Sequence, residues 1–169
     1  MVPQIMKKMI ADSEGSLHDI EHFIKVWTYA RTIGELEGLD AETQFRLEIS
    51  AIIHDIACPS LRVQYGYAPG KLQESEGMSM ARDFLAQFAL TPEQIDRICF
   101  LVGHHHTPAE ADGPDYRILL EADYLVNASE SNYSKDNILR ARETIFRTQT
   151  GRELLTSIYI LPSRGESST

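Results

Sequence analysis

The chain has 169 residues, 43% of them hydrophobic, and a formal net charge of −9 from 16 basic and 25 acidic side chains. That length supports one domain with a real core but is short for two, and the acidic balance excludes a broad electrostatic surface for nucleic-acid duplexes or anionic membranes. No run approaches the roughly 20 apolar residues that span a bilayer, the opening residues lack a signal-peptide apolar core, and Cys58 and Cys99 form no CxxC pair, so the expectation is a soluble, cytoplasmic, reduced protein with both cysteines buried as small hydrophobes.

Residues 1–161 are read as a single domain and Pro162 to Thr169 as a flexible tail of disordered composition. Ile20, Phe23, Ile24, Trp27, Ala30 and Ile33 recur at three- and four-residue steps, which predicts an amphipathic helix over 20–37 that Gly38 terminates. Asp40 is placed to cap a second helix whose buried positions Phe45, Ile49, Ile52, Ile53 and Ile56 carry it to Ala57, before Pro59 forbids continuation. Residues 59–72, rich in Pro, Gly and Tyr, predict a loop, and Met80, Ala81, Phe84, Leu85 and Phe88 a third helix. Thr91-Pro92-Glu93-Gln94 is a capping box that opens a fourth helix through Ile95, Ile98 and Val102 into His104-His105-His106. A fifth helix follows over about Tyr116 to Ala128, with further helical pattern over 136–147 and 151–160. No stretch alternates with period two long enough for a strand, so the fold is all-α: five core helices plus C-terminal helices.

The chemistry lies in ionisable residues set into apolar surroundings. His54 and Asp55 interrupt Ile52-Ile53 and Ile56-Ala57, where an uncompensated charge is costly. Asp123 shares a helix side with Leu119, Leu120 and Val126, and His22 shares a stripe with Val26, Ala30 and Ile33. Three helices thus each offer an inward ligand, and imidazole with carboxylate suits Mn, Fe, Co, Ni or Zn better than Ca. Among the three adjacent histidines, His105 continues the stripe of Ile95, Ile98 and Val102.

The order His22, then His54-Asp55 within Ala51-Ile-Ile-His-Asp-Ile-Ala57, then Asp123 within Glu-Ala-Asp-Tyr-Leu-Val-Asn resembles the H…HD…D signature of the HD-domain superfamily of metal-dependent phosphohydrolases. His18-Asp19-Ile20-Glu21-His22 also resembles the HDxxH opening of small bacterial HD proteins. The resemblance covers about residues 17–130 and implies an all-α HD bundle in which His22, His54, Asp55 and Asp123 bind one metal. In dinuclear relatives further histidines between the HD pair and the last Asp hold a second ion. Here the counterparts are Glu76, standing before Gly77 where such relatives have a histidine, then His105, and His106 ahead of His104.

The resemblance therefore implies one or two divalent transition-metal ions per chain. The expected activity is hydrolysis of a phosphate ester, of a nucleotide or another small phosphorylated metabolite, by metal-activated water, with Asp55 holding the metal and orienting the nucleophile. Lys71 and Arg62 are candidates to neutralise the substrate phosphate, Asn127 to bond a ligand or the substrate, and Tyr65 and Tyr67 to stack on a base. The alternatives are a di-iron oxygenase of HD fold and a non-catalytic metal- or nucleotide-binding regulatory module. The partners expected are a small phosphorylated substrate and a second copy of the chain, with no nucleic-acid duplex and no membrane.

Overall fold

A computed structural model describes residues 1–161; the expected tail at 162–169 lies outside the described residues. The described residues form nine α-helices: α1 (Val2–Asp12), α2 (Leu17–Leu36), α3 (Ala41–Ile53), α4 (Cys58–Tyr65), α5 (Gly70–Leu85), α6 (Pro92–Val102), α7 (Pro114–Glu130), α8 (Lys135–Thr144) and α9 (Gln149–Leu155). A 3-10 turn at Pro108–Glu110 precedes α7 and a π turn at Thr156–Ile160 extends α9. No strand occurs among the described residues, and none of their helices is long and apolar enough to cross a membrane.

Local sequence explains most boundaries. Asp40 accepts from the backbone N–H groups of Glu42 and Thr43 at 3.0 Å and starts α3. At α6 the Thr91 hydroxyl accepts from Gln94 N–H while the Gln94 side chain accepts from Thr91 N–H, with Pro92 in the first turn where no donor is missed. Two readings are corrected. The second helix stops at Ile53 rather than Ala57, since residues 54–57 form a tight turn in which Ile56 N–H bonds the Ile53 carbonyl and Cys58 N–H the Asp55 carbonyl. Of residues 59–72, expected as loop, 59–65 lie in α4 (Cys58–Tyr65), because Pro59 sits in its first turn and so opens a helix instead of only closing the previous one, and 70–72 form the first turn of α5. The pattern also left α1 unread; its Ile5 and Met9 are buried in the apolar cluster that holds Ile49, Ile52 and Ile53 of α3.

The helices enclose two adjoining apolar clusters bridged by Trp27. One joins α2, α3 and α7 with the C-terminal helices, and the other joins α1, α3, α5 and α6. Helix α7 is the spine: Tyr116, Ile118, Leu119 and Ala122 are fully buried and it packs against α2, α3 and α9. Its buried Glu121 accepts from Thr148 N–H at 2.9 Å and also from Arg147 N–H and the Thr148 hydroxyl, which fixes the α8–α9 junction. Helix α5 runs close to α6 and the turn after it. A Cβ on Gly77 would meet Val102 at 3.2 Å, and one on Gly70 would meet the His106 ring at 3.3 Å.

Replacing Thr91 by Ala removes one half of the capping box, so denaturant unfolding should show a loss of about 1 kcal/mol at unchanged m-value.

Candidate metal centre

Four segments converge on one point. His22 lies in the second turn of α2, His54 and Asp55 in the turn after α3, His105 and His106 in the turn after α6, and Asp123 in the middle of α7. Because α3 breaks at Ile53, the consecutive residues His54 and Asp55 both direct side chains to this point, which a continued helix would splay by about 100°.

His22 Nε2 and His54 Nε2 are 3.2 Å apart, and each is 3.3 Å from Asp123 Oδ1. Asp55 Oδ2 stands 3.6 Å from the first nitrogen and 3.7 Å from the second. The opposite ring nitrogens are already engaged: His54 Nδ1–H donates to the Ala51 carbonyl at 3.0 Å, and His22 Nδ1–H to the Glu130 carboxylate at 2.8 Å. These bonds assign the neutral-ring proton to Nδ1 and leave a lone pair on each Nε2. Two imidazole lone pairs and carboxylate oxygens therefore face one another with no donor between them, an arrangement that needs a shared cation. Two donors about 2.1 Å from one ion stand about 3.0 Å apart at a right angle and about 3.4 Å apart at the tetrahedral angle, so the observed triangle fits a transition-metal ion.

A second group adjoins the first. Asp55 Oδ1 is 3.3 Å from His105 Nε2, a buried nitrogen with no hydrogen-bond partner, whose ring is fixed by His105 Nδ1–H donating to the Val102 carbonyl at 2.7 Å. His106 completes the set with Asp55 and His105. Its Nε2–H donates to Gln73 Oε1 at 2.6 Å, and its backbone N–H donates to Glu74 at 3.0 Å. Asp55 thus turns one oxygen toward each group.

Charge within the cluster shifts titration in both directions. Burial disfavours a charged His22, but Asp123, Asp55 and Glu130 outweigh it and raise its pKa to about 9. Burial likewise opposes ionisation of Asp55 and Asp123, yet the surrounding imidazoles hold both below the ordinary carboxylate range. Without metal, a proton on His22 is the cation of the site.

The structure brings His22, His54, Asp55, Asp123, His105 and His106 together. Expected ligand Glu76 belongs to neither group. The buried stripe of α5 runs through Leu85, Ala81 and Gly77, so one further turn back lies Gln73, with Glu74 beside it; counting from half-buried Met80 instead lands on Glu76, a residue out of phase. His104 turns away to stack on Phe100, with Nδ1–H donating to the Phe100 carbonyl at 2.7 Å. Arg62 pairs with both oxygens of Asp19, and Lys71 is exposed on the first turn of α5. Asn127 Nδ2 donates to Asp123 Oδ1 at 2.8 Å and lines a cavity of about 290 Å³ together with His105, His106 and Asp123. Tyr65 and Tyr67 are exposed, and neither lines that cavity. Glu130 and Gln73 were missed; only helical spacing, Glu130 seven residues after Asp123 and Gln73 four before Gly77, pointed to them.

Residues 19–128 match the family model of the HD domain. The chain belongs to the HD-domain family. A solved structure from an uncultured Thermotogales bacterium, described as a predicted HD superfamily hydrolase, is similar in fold over 94% of this chain and 83% of its own, with a TM-score of 0.66 at 22% identity. No curated protein matches the chain.

Two outcomes are expected of this HD domain. Glu130→Gln should weaken metal binding by about 10- to 100-fold in competition with a chelator, because the carboxylate that orients His22 and strengthens it as a donor is lost. In metal-free protein, His22 should titrate near pH 9 by NMR. Since that folded value lies above the unfolded one, the stability it contributes is complete below about pH 6.5 and is lost as pH rises through 9; Asp123→Asn should return the midpoint toward about 6.5.

Proposed function

We propose that this HD-domain protein is a metal-dependent phosphohydrolase that cleaves a phosphate ester of a small metabolite with metal-activated water. The observation that carries the reading is the set of mutually facing lone pairs on His22, His54 and Asp123, with Asp55 at its edge, which Asp123 joins to a cavity of about 290 Å³ that His105 and His106 also line. A structural site would close its coordination with protein ligands, whereas this one adjoins open space. The hydrolase description of the solved neighbour agrees with it.

His22, His54 and Asp123 would hold the ion, and Asp55 would share it with a second site completed by His105 and His106. The two oxygens of Asp55, one turned to each group, favour the dinuclear arrangement over a mononuclear one. A bound transition-metal ion lowers the pKa of coordinated water and polarises a phosphoryl oxygen. The protein supplies position. Glu130 and the Ala51 carbonyl fix the His22 and His54 rings, Asn127 holds Asp123 in its rotamer, and Gln73 holds His106. Asp55, with one oxygen turned to each group, would hold the metal and orient the attacking water.

Elemental analysis of tag-free protein should find close to two transition-metal ions per chain, falling toward one in His105→Ala. Phosphate release from p-nitrophenyl phosphate should drop at least about 100-fold in Asp55→Asn. A wild-type protein that takes up no metal on reconstitution overturns the reading; loaded protein that consumes oxygen instead of releasing phosphate shifts it to the oxidative HD chemistry.

A further inference from the structure

The cavity at the metal centre is not isolated. Beside it lies a second cavity of about 200 Å³. Pro108, Leu120 and Ile145 line both and form their common wall. Arg117 and Arg147 are among the residues that line the second cavity.

In a chain with 25 acidic against 16 basic residues, Arg31, Arg46, Arg62, Arg82, Arg97 and Arg142 pair with carboxylates. Arg117, Arg140, Arg147 and Arg152 have no carboxylate partner among the described residues, and of these four Arg117 and Arg147 line the second cavity. Arg147 is nevertheless held in place. Its guanidinium donates to the carbonyls of Glu143 at 2.8 Å and Thr144 at 3.1 Å, which satisfy donors without neutralising charge, and its backbone N–H is pinned by buried Glu121. Arg117 projects from the same helix as Asp123, six residues earlier, and six helical residues advance about 9 Å along the axis. Leu120 stands between them and lines both cavities.

We infer that Arg117 and Arg147 form a subsite for a second anionic group on the substrate, so that the substrate class is a small metabolite with a phosphate ester at one end and a phosphate or carboxylate at the other. The inference rests on the phosphohydrolase reading for the first phosphate, whereas the subsite itself is defined by this pair of cations. A preoriented guanidinium binds an anion with little loss of side-chain freedom, and its fork matches two oxygens of a phosphate or carboxylate.

The test is calorimetric binding of three probes to metal-loaded protein: glucose 6-phosphate, 6-phosphogluconate and fructose 1,6-bisphosphate. The first has one anionic end, the second adds a carboxylate and the third a phosphate. The expected result is at least tenfold tighter binding of one or both doubly anionic probes than of glucose 6-phosphate. That preference should vanish in the Arg117→Ala/Arg147→Ala variant and persist in Arg140→Ala, which removes an exposed charge outside this cavity; thermal melting checks that both variants are folded. Equal binding of all three probes, no binding of any, or equal loss of preference in Arg140→Ala overturns the inference. Phosphate release from the same probes is read separately: discrimination without hydrolysis leaves the subsite standing and removes the phosphohydrolase reading.

Discussion

The centre of this protein is a repulsion that the fold holds in place. Two imidazole nitrogens and a carboxylate oxygen stand 3.2 to 3.3 Å apart, their other ring atoms bonded so that no neutral form puts a donor between them. Such an arrangement is costly in a buried setting unless a cation completes it, and the apolar packing of α2, α3 and α7 keeps the three groups from moving apart. The histidines are positioned by main-chain carbonyls as much as by side chains. His54 and His105 both donate Nδ1–H to the carbonyl three residues earlier, so the end of a helix itself sets the direction of the ligand.

Helix α7 unites the functions assigned to the site. On one helix lie Arg117, Leu120, buried Glu121, the candidate ligand Asp123, its partner Asn127, and Glu130 behind His22. Glu121 faces the opposite way from the metal and ties down the start of α9, which makes the C-terminal helices a buttress for α7. The charge of Glu121 stays buried because three donors converge on it, even though burial pushes its pKa up.

Much of this was legible from spacing alone. The stripe of α2, the Asp40 cap, the Thr91 capping box and the inward setting of Asp123 each follow from local rules that tertiary packing did not override. What resisted reading were places where one residue serves two elements or a phase is short. Pro59 both follows α3 and opens α4, and a Pro read in isolation marks only an ending. On α5 the apolar residues Met78 and Met80 flank the true buried line of Gly77 and Ala81, whose small side chains carry little hydrophobic signal, so the pattern came out one residue off and pointed to Glu76 rather than Gln73. Arg62, a candidate for a substrate phosphate by its place after the HD pair, is held by Asp19 from 43 positions away, a pairing that no local pattern encodes. The cations that face the cavity system, Arg117 and Arg147, sit in unremarkable polar stretches and become visible only through the space they share.

The contact between His22 and Glu130 joins residues 108 positions apart, and Asp123 reaches the same cluster from nearly as far. A chain emerging from the ribosome therefore exposes His22, His54 and Asp55 long before the helix that completes their coordination exists. The candidate centre is complete only where α7 packs against α2 and α3, because Asp123 and Glu130 both lie on that helix. A copy truncated before α7 would keep His22, His54, His105, His106 and the Asp55 carboxylate yet lack both Asp123 and the Glu130 carboxylate behind His22.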